Sequence, residues 1–256
     1  MRTNDDWWMV RNPQLRAKLR LFCFPFVGGD AAAYYKWADR MPETVELLSL
    51  QLPGRGNLYK TPLIDDMDRL MERLLPQTIP LLDRPYIFFG HSMGARIAYE
   101  LSCRLRQRGE PLPQHFIASG SLPPQLNRLP PMAYELPTAK LKEELRVLGG
   151  TPDEVLDDPQ MLAVFLPMLR SDFRLFETYR PRDRIPLPVD LSIWGGINDP
   201  RVSVEHVMVW GELFSGRVQE HFYPGGHIFI EPAQCGDECL ADLDRLLDEN
   251  LARFGG

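Results

Sequence analysis

No run of apolar residues in this 256-residue chain approaches the length needed to cross a bilayer. The opening Met1-Arg2-Thr3-Asn4-Asp5-Asp6-Trp7-Trp8 lacks the apolar core and cleavage site of a secretion leader, so a cytoplasmic protein is expected. Cysteine is scarce. Of the four (Cys23, Cys103, Cys235, Cys239), only the last two share helical spacing, and no histidine or second pair accompanies them. Ordinary thiols in a reducing compartment are expected, in place of a metal site or a disulfide framework. Basic runs are absent too, and the net charge is −6, which excludes general nucleic-acid binding. Internal repeats, low-complexity tracts and composition breaks are missing as well, so one domain spanning 1–256 is expected. What is present is ordinary for a globular chain: 44% hydrophobic and 25% charged residues, at a length that closes one large core.

The apolar patterning alternates strands with helices. Strands are predicted at 19–26, 45–50, 86–89, 115–120, 189–194 and 217–223. Helical stripes fall at Met67, Leu70, Met71, Leu74 and Leu75, interrupted at Pro76, at 202–213, and in the last helix at Leu240, Leu243, Leu247 and Leu251. That order predicts an α/β fold with a mostly parallel sheet and helices on both faces. Residues 123–185 break the alternation. They read as proline-punctuated helices, with Leu141, Leu145 and Leu148 on one face and Leu162, Phe165, Leu166 and Leu169 on another, the latter disturbed by Pro167. A helical insertion of this kind is expected to form a lid over the carboxyl ends of the strands.

The chain is organised around Gly90-His91-Ser92-Met93-Gly94, set between the strand Tyr86-Ile87-Phe88-Phe89 and a helix carrying Ile97, Ala98, Leu101 and Leu105. A Gly-x-Ser-x-Gly in that setting is the nucleophile-elbow pattern. The turn is so tight that a Cβ at either flanking position would strike neighbouring backbone, and its strain lifts the Ser92 hydroxyl above the sheet edge. Such a pentapeptide also arises by chance, so its weight comes from its surroundings. In hydrolases of this layout, the loop after the first strand supplies one oxyanion donor and the residue after the nucleophile the other. Val27-Gly28-Gly29-Asp30 follows a strand in that way, although alone it would read as an ordinary turn.

A serine hydroxyl is a poor nucleophile until an imidazole takes its proton, and a carboxylate fixes that imidazole's tautomer. Five histidines compete for the role. His91 lies inside the elbow, His115 and His221 inside strands and His206 in a helix. His227 alone follows a strand on a glycine-rich loop near the chain's end. For the acid, Asp199 ends a Gly-rich loop after a strand and before Pro200, a place where an N-cap is the competing role. Asp190 opens its strand, at the wrong end of the sheet, and Asp183 belongs to the exit of the insertion. The order Ser92, Asp199, His227 is that of α/β hydrolases.

Taken together, these segments resemble the type II, or editing, thioesterases that accompany nonribosomal peptide and polyketide synthases. The resemblance covers nearly the whole chain. It rests on Phe24-Pro25-Phe26-Val27-Gly28-Gly29 with Trp37, on Leu52-Pro53-Gly54-Arg55-Gly56 and on the elbow. It continues through Leu169-Arg170-Ser171-Asp172-Phe173, Gly195 to Asp199, and Gly225-Gly226-His227-Ile228-Phe229. It implies an α/β-hydrolase fold and hydrolysis of acyl or aminoacyl groups from the phosphopantetheine arm of an acyl or peptidyl carrier protein, without metal or organic cofactor. By position, Ser92 would be the nucleophile, His227 the base, Asp199 the acid, and the backbone N–H groups of Val27 and Met93 the oxyanion hole. A monomer is expected. The chain departs from the family at Val27, commonly Ala, at Asp30, commonly Ser, and at Arg96, usually apolar. The first two are expected to reshape the acyl pocket. A general esterase or acyl-CoA thioesterase, or a non-catalytic binding module on the same fold, are the alternatives.

Overall fold

The computed structural model describes residues 7–126, 132–182, 185–231 and 233–254. Seven strands form one sheet in the order β1-β3-β2-β4-β5-β6-β7. The short edge strand β1 (Trp8–Met9) pairs antiparallel with β3 (Val45–Leu50). The other strands run parallel: β2 (Leu19–Phe24), β4 (Tyr86–His91), β5 (His115–Ser119), β6 (Asp190–Gly196) and β7 (Val218–Tyr223). The expected mostly parallel sheet is therefore present. The edge strand at Trp8 was not legible, because two residues carry no periodicity.

Strand side chains alternate between two buried faces. Phe22, Phe24, Phe88 and Phe116 point to one, where α2 (Met67–Thr78) and α3 (Met93–Arg108) cover them. Leu21, Cys23, Ile87, Phe89 and Trp194 point to the other, under α1 (Tyr35–Ala38) and α8 (Gly236–Phe254). Full burial of so many apolar side chains, at about 1.5–3 kcal/mol each, is the main term that holds the sheet. The four cysteines are buried and unbridged.

Polar pairs staple the amino-terminal edge of the sheet. Arg20 reaches Glu46 at 3.0 Å and also Asp83. His115 bonds Ser192 at 2.8 Å, and Asp190 accepts from the Arg217 amide at 2.9 Å and from Arg253 at 3.0 Å. Asp190 thus lies at the end of β6 remote from the elbow, as expected. Asp183 lies outside the described residues.

Between β5 and β6 the chain leaves the sheet for α4 (Thr138–Leu148), α5 (Asp153–Asp157) and α6 (Pro159–Thr178), which share a small core of their own. Leu162 and Leu169 join that core, but Phe165 faces outward at 38% exposure, beside Met161 and Val164. Two proline expectations also need correction. Both α2 and α6 run through their internal prolines, Pro76 and Pro167. Each lost N–H would have met a carbonyl four residues earlier, Glu72 or Ala163, and both residues lie on exposed faces where water can take the place of the amide. After β6, α7 (Val204–Met208) passes into a 3₁₀ turn at Val209–Leu213, which tightens the single helix expected at 202–213.

Candidate active site

β4 is the central strand, and Ser92 sits at its carboxyl end with φ 53° and ψ −117°. It is the one non-glycine residue with positive φ among those described. Two glycines of the turn make room for this strained conformation. A Cβ on Gly90 would lie 2.4 Å from the Ala95 backbone, and one on Gly94 would lie 2.1 Å from the Phe24 carbonyl oxygen. The Ser92 amide donates to the Ser119 carbonyl at 2.8 Å, which ties the elbow to β5.

The loops after β6 and β7 meet over this elbow. A Cβ at Gly196 would lie 2.3 Å from the Gly226 carbonyl oxygen, so only glycine lets them approach so closely. The amides of Ile197 and Asn198 donate to Tyr223 and Gly225 at 2.8 and 3.0 Å. The result brings three predicted side chains into line. His227 Nδ1 lies 2.7 Å from Asp199 Oδ2, and His227 Nε2 lies 2.9 Å from Ser92 Oγ. A carboxylate can only accept, so Nδ1 carries the proton and Nε2 is left to accept from the serine hydroxyl. Burial raises the Asp199 pKa, but the hydrogen bond and charge of His227 and the amides of Arg201 and Val202 outweigh it, and the carboxyl is held below its ordinary range. Both amides go to Asp199 Oδ1, at 2.8 and 3.1 Å, so the residue caps the following turn as well as facing His227.

Of the other histidines, His115 and His221 stand elsewhere, while His206 and His91 lie near the site. His91 is fully buried and lies behind His227. Its Nε2 is 2.9 Å from the His227 carbonyl and its Nδ1 2.9 Å from Ser119 Oγ. Because the carbonyl can only accept, Nε2 holds the proton and Nδ1 accepts from Ser119. Burial, then the neighbouring His227, draw its pKa down to about 3, so it is a neutral strut under the backbone of the His227 loop. Sequence reasoning did not find this, since the partner is a backbone carbonyl 136 residues away.

Ser92 and His227 open into a cavity of about 480 Å³. Phe26, Val27, Leu145, Leu148, Phe173, Phe176 and Ile228 give it apolar walls, and Glu144, Glu177, Arg201 and His206 add polar ones. Arg201, two residues past Asp199, pairs with Glu144 of α4 at 2.6 Å and so joins the insertion to the loop after β6. The amides of Val27 and Met93 bond to no described residue. Val27 lines the cavity as expected from its position, whereas Asp30 does not. Its carboxylate accepts from the Ala32 amide at 2.9 Å and caps the short turn Ala31–Tyr34. Among the described residues no cluster of histidine, cysteine, aspartate and glutamate has the arrangement of a metal site.

Arg96 is also accounted for. It lies on the first turn of α3, 1% exposed, and donates to the carbonyls of Leu122, Pro123, Leu126 and Phe176 at 2.9–3.2 Å. Its guanidinium also stands 4.2 Å above the Phe176 ring. It fastens the helix that Ser92 opens to the start of the insertion and to α6.

Comparison with known proteins adds independent evidence. The model of the thioesterase domain family matches residues 19–243. The chain is 36% identical to the gramicidin S biosynthesis protein GrsT of Aneurinibacillus migulanus over 226 residues, 88% of each chain. Its fold is similar to that of BorB, the type II thioesterase of the borrelidin biosynthetic cluster, with 29% identity, a TM-score of 0.85 and coverage of 96% and 99% of the two chains. It is also similar to RedJ, the prodiginine-pathway thioesterase of Streptomyces coelicolor, with 36% identity, a TM-score of 0.82 and 89% of each chain covered.

Proposed function

The chain belongs to the thioesterase domain family, as a type II thioesterase of the nonribosomal peptide and polyketide synthase class, and from that premise we propose how it works and on what. The observation that carries the reading is the hydrogen-bonded line Asp199–His227–Ser92 at the floor of a largely apolar cavity. In the proposed cycle Ser92 Oγ attacks the thioester carbonyl carbon as its proton passes to His227 Nε2. The N–H groups of Val27 and Met93 hold the oxyanion, and the C–S bond breaks as His227 returns the proton to the pantetheine sulfur. Water, deprotonated by the same imidazole, then attacks the acyl-serine, and as the acid leaves the imidazolium returns the proton to Ser92 Oγ. Asp199 keeps the imidazole in the reactive tautomer and stabilises its cation. The cycle draws on no metal or organic cofactor.

The domain acts as one α/β-hydrolase unit in the cytoplasm, as a monomer, with residues 123–185 as a lid. Its substrates are acyl or aminoacyl groups that have misprimed or stalled on the phosphopantetheine arm of a carrier protein. A long flexible arm needs a cavity to enter and a surface on which its carrier can rest. The outward apolar side chains Met161, Val164 and Phe165 of α6 fit the second need, and with a net charge of −6 the overall field would not attract an acidic carrier.

The test compares one acyl group on a carrier protein and on coenzyme A. A higher kcat/KM on the carrier is expected, from binding energy remote from the carbonyl. Replacing Val164 and Phe165 by serine should reduce the carrier rate by about tenfold and leave the coenzyme A rate within about twofold. Equal specificity constants would mark a general acyl thioesterase.

A further inference from the structure

Two segments that the chemistry above leaves unused meet behind the cavity. Arg55 comes from the loop after β3 and Asp172 from the middle of α6. Their side chains are 7% and 3% exposed and pair through both ends, Nη2 to Oδ1 at 2.5 Å and Nη1 to Oδ2 at 2.7 Å. The same two groups then take hold of the loop after β2. Asp172 Oδ2 accepts from the Gly28 amide at 2.9 Å, and Arg55 Nη1 donates to the Gly29 carbonyl at 2.9 Å. A buried ion pair of this kind adds little stability over an apolar pair of the same volume, so its worth lies in what it orients.

What it orients is a four-residue turn. The Gly29 amide donates to the Phe26 carbonyl at 2.9 Å, and Gly28 has φ +76°, the positive third position of a type II turn. Type I and type II turns differ by a flip of about 180° in the central peptide. Here that peptide joins Val27 to Gly28, and its N–H is the one Asp172 holds. One helical turn earlier on α6, Leu169 Cδ2 lies 2.8 Å from where a Gly28 Cβ would stand, so the turn also packs directly on the helix. Closing the turn aims the Phe26 carbonyl inward. In a trans peptide the following N–H, that of Val27, then points the opposite way.

We propose that Arg55 and Asp172 are positioning residues for the oxyanion hole. By holding the Gly28 N–H and the Gly29 carbonyl they anchor the closed turn, and with it the adjoining Phe26–Val27 peptide whose N–H would face the oxyanion; through Asp172 that anchoring depends on α6 being seated. This rests on the reading of the Val27 amide as an oxyanion donor.

The experiment uses the full chain, with Arg55→Lys, Asp172→Asn and the double variant Arg55→Met/Asp172→Leu. Each is followed by melting temperature, by kcat and KM for an acyl-coenzyme A, and by the affinity for two analogues of it. One is a trifluoromethyl ketone, which adds to Ser92 and forms an oxyanion; the other is an unreactive thioether, which does not. The double variant should fold, lose roughly 10²-fold in kcat with KM within about twofold, and lose ketone affinity by a similar factor. Its thioether affinity should be unchanged. Arg55→Lys keeps one donor of the fork and should fall between. If the double variant does not fold, Asp172→Asn, nearly isosteric, carries the same comparison. A folded variant with the full kcat, or one that loses ketone and thioether affinity equally, overturns the proposal while leaving the thioesterase reading intact. A wild-type protein that binds the ketone no better than the thioether overturns the oxyanion reading itself, and this inference with it.

Discussion

Ser92 spends backbone strain on position: its φ of 53° is tolerated because Gly90 and Gly94 clear the space around it, and it points the hydroxyl at His227. Since Ser92 and His227 share one proton in the proposed cycle, Ser92→Ala and His227→Ala should each remove nearly all turnover, and the double variant should be scarcely slower. Single-turnover rates test this; losses that multiply would break the shared relay. Asp199→Asn should cost roughly 10³–10⁴-fold in kcat by favouring the wrong imidazole tautomer, without loss of melting temperature, while Asp190→Asn, at the opposite edge, should stay within about twofold. Steady-state kinetics on the two variants decide between the carboxylates. The convergence of Ser92, Asp199 and His227 was legible because each sits on a glycine-bearing loop directly after a strand. The strut His91 and the clamp Arg55–Asp172 were not, since both are contacts across more than a hundred residues, and no periodicity records them.

Among the elements, α3 shows how a buried arginine is made to fit. The carbonyls that Arg96 gathers are those left over where the chain exits β5 and where α6 runs out, so one side chain closes two backbone ends at once. Burial draws its pKa down to about 9, which leaves it charged at neutral pH. Arg96→Met should cost about 3 kcal/mol, because several buried carbonyls lose their donor, and Arg96→Lys should recover only part, lacking the planar fork. Chemical denaturation of the three proteins measures this directly. The two longer helices of this region were readable, but the short α5 was not, and the helix faces were less so. The four-residue rule put Phe165 inward, whereas α6 buries Leu162, Met168, Leu169 and Phe173 and leaves Phe165 outside. Packing against the turn Ala133–Glu135 and the loop at Gly28 decides that rotation, and neither is local in sequence.

For the whole molecule, the alternation of strands and helices sufficed to predict the sheet, but not its order or its edge strand, which depend on pairings between distant segments. The buried histidines set its response to acid. An ordinary histidine titrates near 6.5, but burial holds His91 to about 3 and His115 to about 4. Between those values and 6.5 the unfolded chain binds more protons than the folded one, so their contribution is complete above 6.5 and drains away as the pH falls. Melting temperature should therefore drop between pH 7.5 and pH 5, and drop less in His115→Gln; scanning calorimetry at the two values checks it. His115 belongs to the amino-terminal edge, with Arg20, Glu46, Asp83 and Asp190, while Ser92, Asp199 and His227 hang from the other rim. Durability and chemistry are thus housed at opposite poles. Breeding for heat or solvent tolerance can draw on the lower pole, and breeding for new acyl groups on the upper, with the rigid strands between them keeping gains in one from being repaid as losses in the other.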